Sequence, residues 1–362
     1  MSATPQPPAH GNAAEETYAP TSPLSARHRL EPGDRFPDFV LADQNDTVRA
    51  FSQRARGWAM AILLDPNDAL RGSLRMLADA YQAAELDCIM IDASARGAEP
   101  WPCVLADEAG RIRQSLREMC GQPTDADARP LAFLLDRNQR VLALSEDGDL
   151  AQWALDRWSR EPSQEPGRQV AETAPVLIIP NVLTRGQCRA LIERWSIRGH
   201  AEGTVTSLVQ GEQVHRVYDD LKKRLDHKID EPAVEKPLLA LIGRRIAPEL
   251  DRAFHYRRFR FDRPYVVCYD ATRGDYFRRH RDNQTPATAD RQFALTINLN
   301  SEEFEGGELL FPEFGQARYK PPTGGAILFS CSLLHEALPV TRGQRFALLS
   351  FLRDAAQGPG RT

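Results

Sequence analysis

Apolar residues in the first half of the chain come in short runs: Phe39–Leu41, Ala59–Leu64, Cys88–Ile91, Pro102–Leu105, Leu131–Leu135 and Val141–Leu144. Runs of this length between turn signals predict strands. Between the second and third runs, Ala69–Ala84 places Leu70, Leu74, Leu77, Ala78 and Tyr81 at helical spacing along one face. Strands alternating with helical stretches predict an α/β layer with a mostly covered sheet.

The pattern changes after Arg160–Ala174, a polar stretch containing Pro162 and Pro166 that marks a domain boundary. From Ala174 the sequence predicts a strand, a turn and a helix beginning near Thr184, a suitable N-cap. A polar, helix-rich stretch then runs to about Phe254. Closely spaced strands follow at Pro264–Tyr269, Phe293–Leu299, Glu308–Phe311, Gly325–Phe329 and Arg345–Leu352. Gly306-Gly307 and Thr323-Gly324-Gly325 punctuate them, which predicts a sandwich or jelly roll.

The expected organisation is therefore a disordered tail over 1–28, an α/β domain over 29–159, a linker over 160–174, a strand-rich domain over 175–354 and a tail over 355–362. The 362 residues suit two domains. A net charge of −4 at 27% charged residues argues against a nonspecific nucleic-acid coat. No apolar run reaches the roughly 20 residues of a membrane span, and the first 28 residues lack the layout of a secretory signal. Six cysteines without a CxxC pair argue against a disulfide scaffold. A cytoplasmic location is the expectation.

Candidate chemistry sits in the strand-rich half. His280-Arg281-Asp282 has the form H-x-D, and His335 stands alone in SLLHEAL. Two imidazoles and one carboxylate can hold one face of an octahedral Fe(II) and leave three positions open. If the pair lies on a strand, alternate side chains share a face and supply adjacent ligands. The pair alone carries little weight, since chance supplies roughly 0.6 of one such match in this chain. A similar pair, His200 and Glu202, lacks a strand pattern around it. What distinguishes His280 is its company: Gly274-Asp275-Tyr276-Phe277 before it, Glu305-Gly306-Gly307-Glu308 after it, and Arg345 ten residues beyond His335.

That ensemble resembles the 2-oxoglutarate- and Fe(II)-dependent dioxygenases of the prolyl 4-hydroxylase branch. The matching stretches are YVVCYDATRGDYFRRHRDN, FALTINLNSEEFEGGELLFPEFG and GGAILFSCSLLHEALPVTRGQRFALLSFL, with APVLIIPNVLTRGQCRALI matching the branch's usual start. The resemblance spans about 174–354 and implies a double-stranded β-helix (jelly roll) with flanking helices. It implies His280, Asp282 and His335 as iron ligands, Arg345 as the partner of the distal carboxylate of 2-oxoglutarate, and Tyr269 as a hydrogen-bond partner of the same cosubstrate. Asn298 falls where some members place a second tyrosine. The implied reaction hydroxylates a C–H bond of a protein, peptide or amino-acid-like substrate with O2, releasing succinate and CO2, with ascorbate as reductant. The competing expectation is a binding or sensing module that keeps the site without using it.

The first domain resembles a thioredoxin-fold peroxiredoxin in LEPGDRFPDFVLADQND, in WAMAILLDPND leading into a helix, and in RPLAFLLDRNQRVLAL. In that family a peroxidatic cysteine sits where the strand Ala59–Leu64 hands over to the helix, where the helix N-terminus lowers a thiol's pKa. Residues 65–73 here contain no cysteine. Cys88 and Cys103 sit in apolar strands and read as inert, which leaves Cys120 as the candidate for a thiol peroxidase. The expectation is a scaffold without peroxidase activity, serving docking, dimerisation (a homodimer) or substrate presentation. Arg252–Arg263 mixes arginines with aromatics, which could grip nucleic acid. An edge strand with Phe259 and Phe261 inward accounts for it better. Nucleic-acid demethylases with the same triad carry a second arginine where this chain has Phe351, which also argues against a nucleic-acid partner.

Overall fold

The structure, a computed structural model, describes residues 29–95, 101–124, 129–162, 167, 169–209, 212–216 and 221–355. The expected N-terminal tail, residues 356–362 and part of the expected linker lie outside these residues. Among those described, the chain is a mixed α/β structure with several sheets.

The first half forms a seven-stranded sheet in the spatial order Val48–Ala50, Val40–Asp43, Cys103–Ala106, Leu86–Asp92, Ala59–Leu64, Leu131–Leu135, Val141–Ser145. Leu86–Asp92 runs parallel to both of its neighbours, while Leu131–Leu135 is antiparallel to Ala59–Leu64. Every residue of Ala59–Leu64 is buried because both faces of the sheet are covered. Ala59, Ala61 and Leu63 pack with helices Asp68–Ala83 and Leu150–Trp158 on one face. Met60, Ile62 and Leu64 pack with helix Arg111–Cys120 on the other. Asn67 caps the first helix by accepting from the Leu70 amide at 2.9 Å.

At the strand-to-helix handover the chain places Asp65 in the left-handed region, with φ of +50°. Its carboxylate accepts from Arg117 Nη2 at 2.8 Å and also pairs with Arg113. A clamped carboxylate therefore stands near where a peroxidase would hold a thiol. Cys120, expected as the one candidate reactive thiol, is the last residue of a helix and 1% exposed. Burial pushes its thiol up to about 11, so the structure corrects that expectation: Cys120 is a core residue.

The second half builds an antiparallel sheet in the order Leu177–Ile179, Ala326–Ser330, Arg291–Asn298, Gln344–Asp354, Tyr265–Asp270, Leu225–Lys228, Ala201–Glu202, with Phe259–Phe261 pairing to the end of Gln344–Asp354. One face is covered by helices Arg185–Arg198 and Pro232–Phe254. Thr184 and Gln187 cap the first of these reciprocally, as the sequence predicts for Thr184. The other face, through Val267, Ala294, Ile327 and Ala347, packs against a five-stranded sheet. That sheet runs Lys222–Lys223, Tyr276–His280, His335–Ala337, Leu309–Leu310, Arg318–Tyr319. Phe259 and Phe261 pack on the helical side and Arg260 turns to Asp290, as the edge-strand reading expects.

Charged groups join the two halves. Arg245, with a fully buried side chain, donates to Asp34 at 3.1 Å, to Glu31 at 3.2 Å and to the Val182 carbonyl at 2.9 Å. Arg244 donates to Asp34 at 3.0 Å, and Arg35 pairs with Glu249 at 2.7 Å. Asp34 is 2% exposed, so removing Arg245 takes one of two arginine partners from a buried carboxylate. Arg245→Met is expected to cost about 1.5–3 kcal/mol in denaturant unfolding. A loss below about 1 kcal/mol would show that these contacts behave like surface pairs.

Candidate active site

The five-stranded sheet brings His280 and His335 side by side. The two are register partners on neighbouring antiparallel strands, with ring centroids 4.2 Å apart. His280 ends the strand Tyr276–His280, and Asp282 lies in the turn beyond it. This corrects the strand-alternation argument: the two ligands of the H-x-D pair converge because the chain turns between them. The turn is anchored where the Asp282 amide donates to the Cys331 carbonyl at 3.0 Å, tying it to the segment that leads into His335.

Both imidazoles are oriented by their far nitrogens. His280 Nδ1 lies 2.7 Å from the Arg278 carbonyl, and His335 Nδ1 lies 3.0 Å from the Leu333 carbonyl. A carbonyl oxygen can only accept, so each Nδ1 carries the proton and each Nε2 keeps its lone pair. Those lone pairs face the Asp282 carboxylate, with Nε2 to Oδ1 3.5 Å for His280 and Nε2 to Oδ2 3.4 Å for His335. All three ligand atoms lie within 4.8 Å of one another. Phe277 stacks on the His280 ring at 3.5 Å, and Phe329 meets the His335 ring edge-on at 4.6 Å, which fixes both planes.

The protonation states suit a cation. Burial lowers His335 to about 4, so the imidazole is neutral at pH 7. Burial alone would raise Asp282, yet its carboxyl stays below the usual carboxylate range, with the permanent cation of Arg291 among the groups that lower it. Three acceptors aimed at one point, with no donor between them, could hold a divalent metal. The basic neighbours of the motif do not enter it: Arg279 pairs with Glu336 at 3.2 Å and Arg281 with Glu313 at 2.6 Å. His200 and Glu202 are employed elsewhere, the ring stacked on Trp195 at 3.7 Å and the carboxylate held by Arg273 at 2.7 Å.

Beside the triad lies a cavity of about 60 Å³ lined in part by Tyr269, Arg345, Ala294 and Leu309. It shares His280, Asp282, Phe277 and Phe351 with a broader cleft of about 880 Å³. Tyr269 and Arg345 are register partners on adjacent strands. Arg345 is 3% exposed, reaches Asn298 Oδ1 only at 3.5 Å, and leaves its buried Nε without a partner. Burial lowers its pKa, while Tyr269 and Glu308 act in the opposite direction. Asn298 thus borders Arg345 at the position where a second tyrosine occurs in some relatives.

Gly307 explains the double glycine. It has φ of +67°, and a Cβ there would stand 2.9 Å from Val340 Cγ2 and 3.0 Å from Arg345 Cδ. Gly307→Ala is expected to cost about 1–3 kcal/mol and to raise the KM for an anion bound at Arg345. Thermal melting and steady-state kinetics check the two effects, and a KM equal to wild type would remove Gly307 from the site.

Arg224 and Lys222, which carry no signal in the sequence, also reach this region, as does Phe277 of the motif before His280. Lys222 is 4% exposed and Arg224 7% exposed, although they stand in the polar run KKRLDHK. Burial, helped by Arg224, lowers Lys222 to about 8. Nothing in a charged run distinguishes a buried cation from a solvated one.

Two facing sheets thus place a His-Asp-His cluster that could hold a metal ion beside a buried arginine. Residues 265–353 match the family model of the 2OG-Fe(II) oxygenase superfamily. A PKHD-type hydroxylase of Xylella fastidiosa (strain M12) is 30% identical over 182 residues, covering 48% of this chain and 76% of that protein. A PKHD-type hydroxylase of Xanthomonas campestris pv. campestris (strain B100) is 30% identical over 198 residues, covering 50% of this chain and 82% of its own length. Among solved structures, a Pseudomonas putida prolyl-4-hydroxylase aligns with TM-score 0.38 and 19% identity over 50% of this chain and 94% of its own. A peroxidoxin from Mycobacterium tuberculosis aligns with TM-score 0.32 and 20% identity over 37% of this chain and 100% of its own.

The chain belongs to the 2OG-Fe(II) oxygenase superfamily. It is a dioxygenase that uses Fe(2+), 2-oxoglutarate and O2.

Proposed function

We propose that His280, Asp282 and His335 hold the iron, that Arg345 binds the distal carboxylate of 2-oxoglutarate, and that Tyr269 hydrogen-bonds the same cosubstrate. The observation that carries this reading is the convergence of two imidazole lone pairs and one carboxylate beside a buried, under-partnered arginine. Iron bound there supplies the activation of dioxygen and the oxidation of a substrate C–H bond, with 2-oxoglutarate leaving as succinate and CO2. The protein's own part is orientation and exclusion of water. The Arg278 and Leu333 carbonyls keep the ligand nitrogens unprotonated, Phe277 and Phe329 hold the rings, and Arg345 fixes the cosubstrate by its far end.

The strand-rich half is then a double-stranded β-helix (jelly roll) domain, and the first half a separate peroxiredoxin-like domain without thiol chemistry. The two facing sheets of 175–354 support the first part of this reading. The clamped Asp65 and the buried Cys120 support the second. Docking, homodimer formation or substrate presentation remains as the role of the first domain, whose outer strands expose Val40 and Val48. Among the described residues no helix is long and apolar enough to cross a membrane, which fits a cytoplasmic enzyme. The substrate class we propose is a protein, peptide or amino-acid-like molecule, with ascorbate as reductant. Apolar and aromatic side chains at Tyr265, Leu349 and Phe351 in the cleft wall support it, and the same wall carries Arg281 and Arg291.

A mass-spectrometric comparison of cells carrying the wild-type chain or His280→Ala tests the assignment. The expected result is a prolyl or other aliphatic residue that gains one oxygen only with the wild type. An oxygenated product confined to nucleic acid would overturn the substrate class.

A further inference from the structure

Tyr269 receives attention from two guanidinium groups, and only one of them belongs to the site as the family reading has it. Arg345 stands 5.2 Å from the ring centroid on one strand neighbour. Arg224, just before the strand Leu225–Lys228 that pairs with the other edge of Tyr265–Asp270, donates from Nη1 to the Tyr269 hydroxyl at 2.9 Å, and both residues are buried. The rest of the Arg224 fork is committed: Nε donates to Asp226 Oδ1 at 2.7 Å and Nη2 to Asp226 Oδ2 at 3.2 Å. Asp226 also accepts from Lys222 Nζ at 3.2 Å, so its carboxylate is held from two directions. The guanidinium packs 5.6 Å from the Phe277 ring, the ring that stacks on His280.

A buried Arg–Asp pair that also spends a donor on a tyrosine hydroxyl has a directional consequence. A phenol has one proton to give and lone pairs to accept with. With a lone pair occupied by a charged donor, the hydroxyl turns its own proton away from Arg224, and the cation also strengthens the hydroxyl as a donor. Both residues line the small cavity beside the triad. An acceptor placed there, between Tyr269 and Arg345, meets an O–H already aimed at it.

We propose that Arg224 is a positioning residue for the cosubstrate: clamped by Asp226, it donates to the Tyr269 hydroxyl and commits that hydroxyl's proton to a carboxylate in the cavity. The relay Asp226–Arg224–Tyr269 thereby sets the affinity for 2-oxoglutarate through the tyrosine hydroxyl. This inference rests on the assignment of Tyr269 and Arg345 to the cosubstrate made above.

The test is a calorimetric titration of 2-oxoglutarate into the full chain loaded with Mn(II), in the absence of oxygen, for wild type, Tyr269→Phe, Arg224→Lys and the double variant. Lysine keeps a cation beside Asp226 but cannot fork that carboxylate and reach the tyrosine together. Each single variant is expected to bind 2-oxoglutarate about tenfold more weakly, and the double variant no more weakly than Tyr269→Phe alone. In turnover, Arg224→Lys raises the KM for 2-oxoglutarate and leaves kcat near wild type. If Arg224→Lys does not melt cooperatively, Asp226→Asn replaces it, with the same expected loss and the same absence of further loss in the Tyr269→Phe background. Wild-type affinity in Arg224→Lys overturns the relay, and so does a further tenfold loss on adding it to Tyr269→Phe, which would mean direct contact or general packing. Failure of the underlying assignment looks different: the wild type would then show no metal-dependent binding of 2-oxoglutarate, or Tyr269→Phe would bind it unchanged.

Discussion

Asp282→Ala is expected to abolish Fe(II) binding and succinate formation, a loss of at least about 100-fold, while the protein still melts cooperatively. Weakening a ligand's outer-shell support alone costs roughly 10–100-fold in metal affinity or activity, and removing the only charged ligand costs more. The carboxylate is 10% exposed in its side chain and faces two Nε2 atoms at 3.4 and 3.5 Å. With His335 neutral at pH 7, Asp282 is the sole anion of the three, so its loss leaves two imidazoles without a counter-charge for the cation. The fold does not need it in the same way. Its side-chain contacts are with the two histidines, and the backbone bond from its amide to Cys331 survives the substitution. Metal titration, succinate assay and thermal melting on one preparation check the three statements together. Retained iron affinity would remove Asp282 from the ligand set.

Arg345→Met is expected to raise the KM for 2-oxoglutarate by about 100-fold and to leave the melting temperature of the metal-free protein unlowered. The first effect follows from truncating one member of a buried charge pair, which costs about 2–5 kcal/mol. The second follows from what Arg345 does before the cosubstrate arrives. It is 3% exposed, its nearest acceptor is Asn298 at 3.5 Å, and its Nε has no partner. Burying a cation so poorly satisfied costs stability, and methionine of similar length removes that cost. Arg345→Lys keeps the charge but loses the fork and should restore only part of the affinity. A variant that loses stability and cosubstrate affinity in parallel would mean that Arg345 serves the fold.

Much of this was legible in the sequence, and the parts that were not share a cause. The strands Ala59–Leu64 and Leu131–Leu135 are continuous apolar runs because both faces are covered, and their bounds follow from the runs themselves. His280, Asp282, His335 and Arg345 stand out through the motifs around them and the family resemblance those carry, and the structure brings all four to one place. The strand Tyr276–His280 was missed because YFRRH carries three basic residues, and its edges are only half-covered. Val48–Ala50 was missed because an edge strand with Val48 exposed needs no apolar alternation. Arg224 and Lys222 were invisible for another reason. Their burial depends on Asp226, two and four residues along, and for Arg224 also on Tyr269, whose strand pairs with Leu225–Lys228 only in the folded sheet. Charge in a sequence names a side chain's chemistry, while its desolvation is decided by partners far away in the chain.

The most direct test of the central claim is the conversion of 2-oxoglutarate to succinate by the full chain, measured with and without Fe(II), with and without O2, in wild type and in His280→Ala. The site described here predicts succinate from the wild type only when both iron and oxygen are present, and none above background from His280→Ala. Succinate formed equally by His280→Ala, or by the wild type without added iron after chelation, would contradict it.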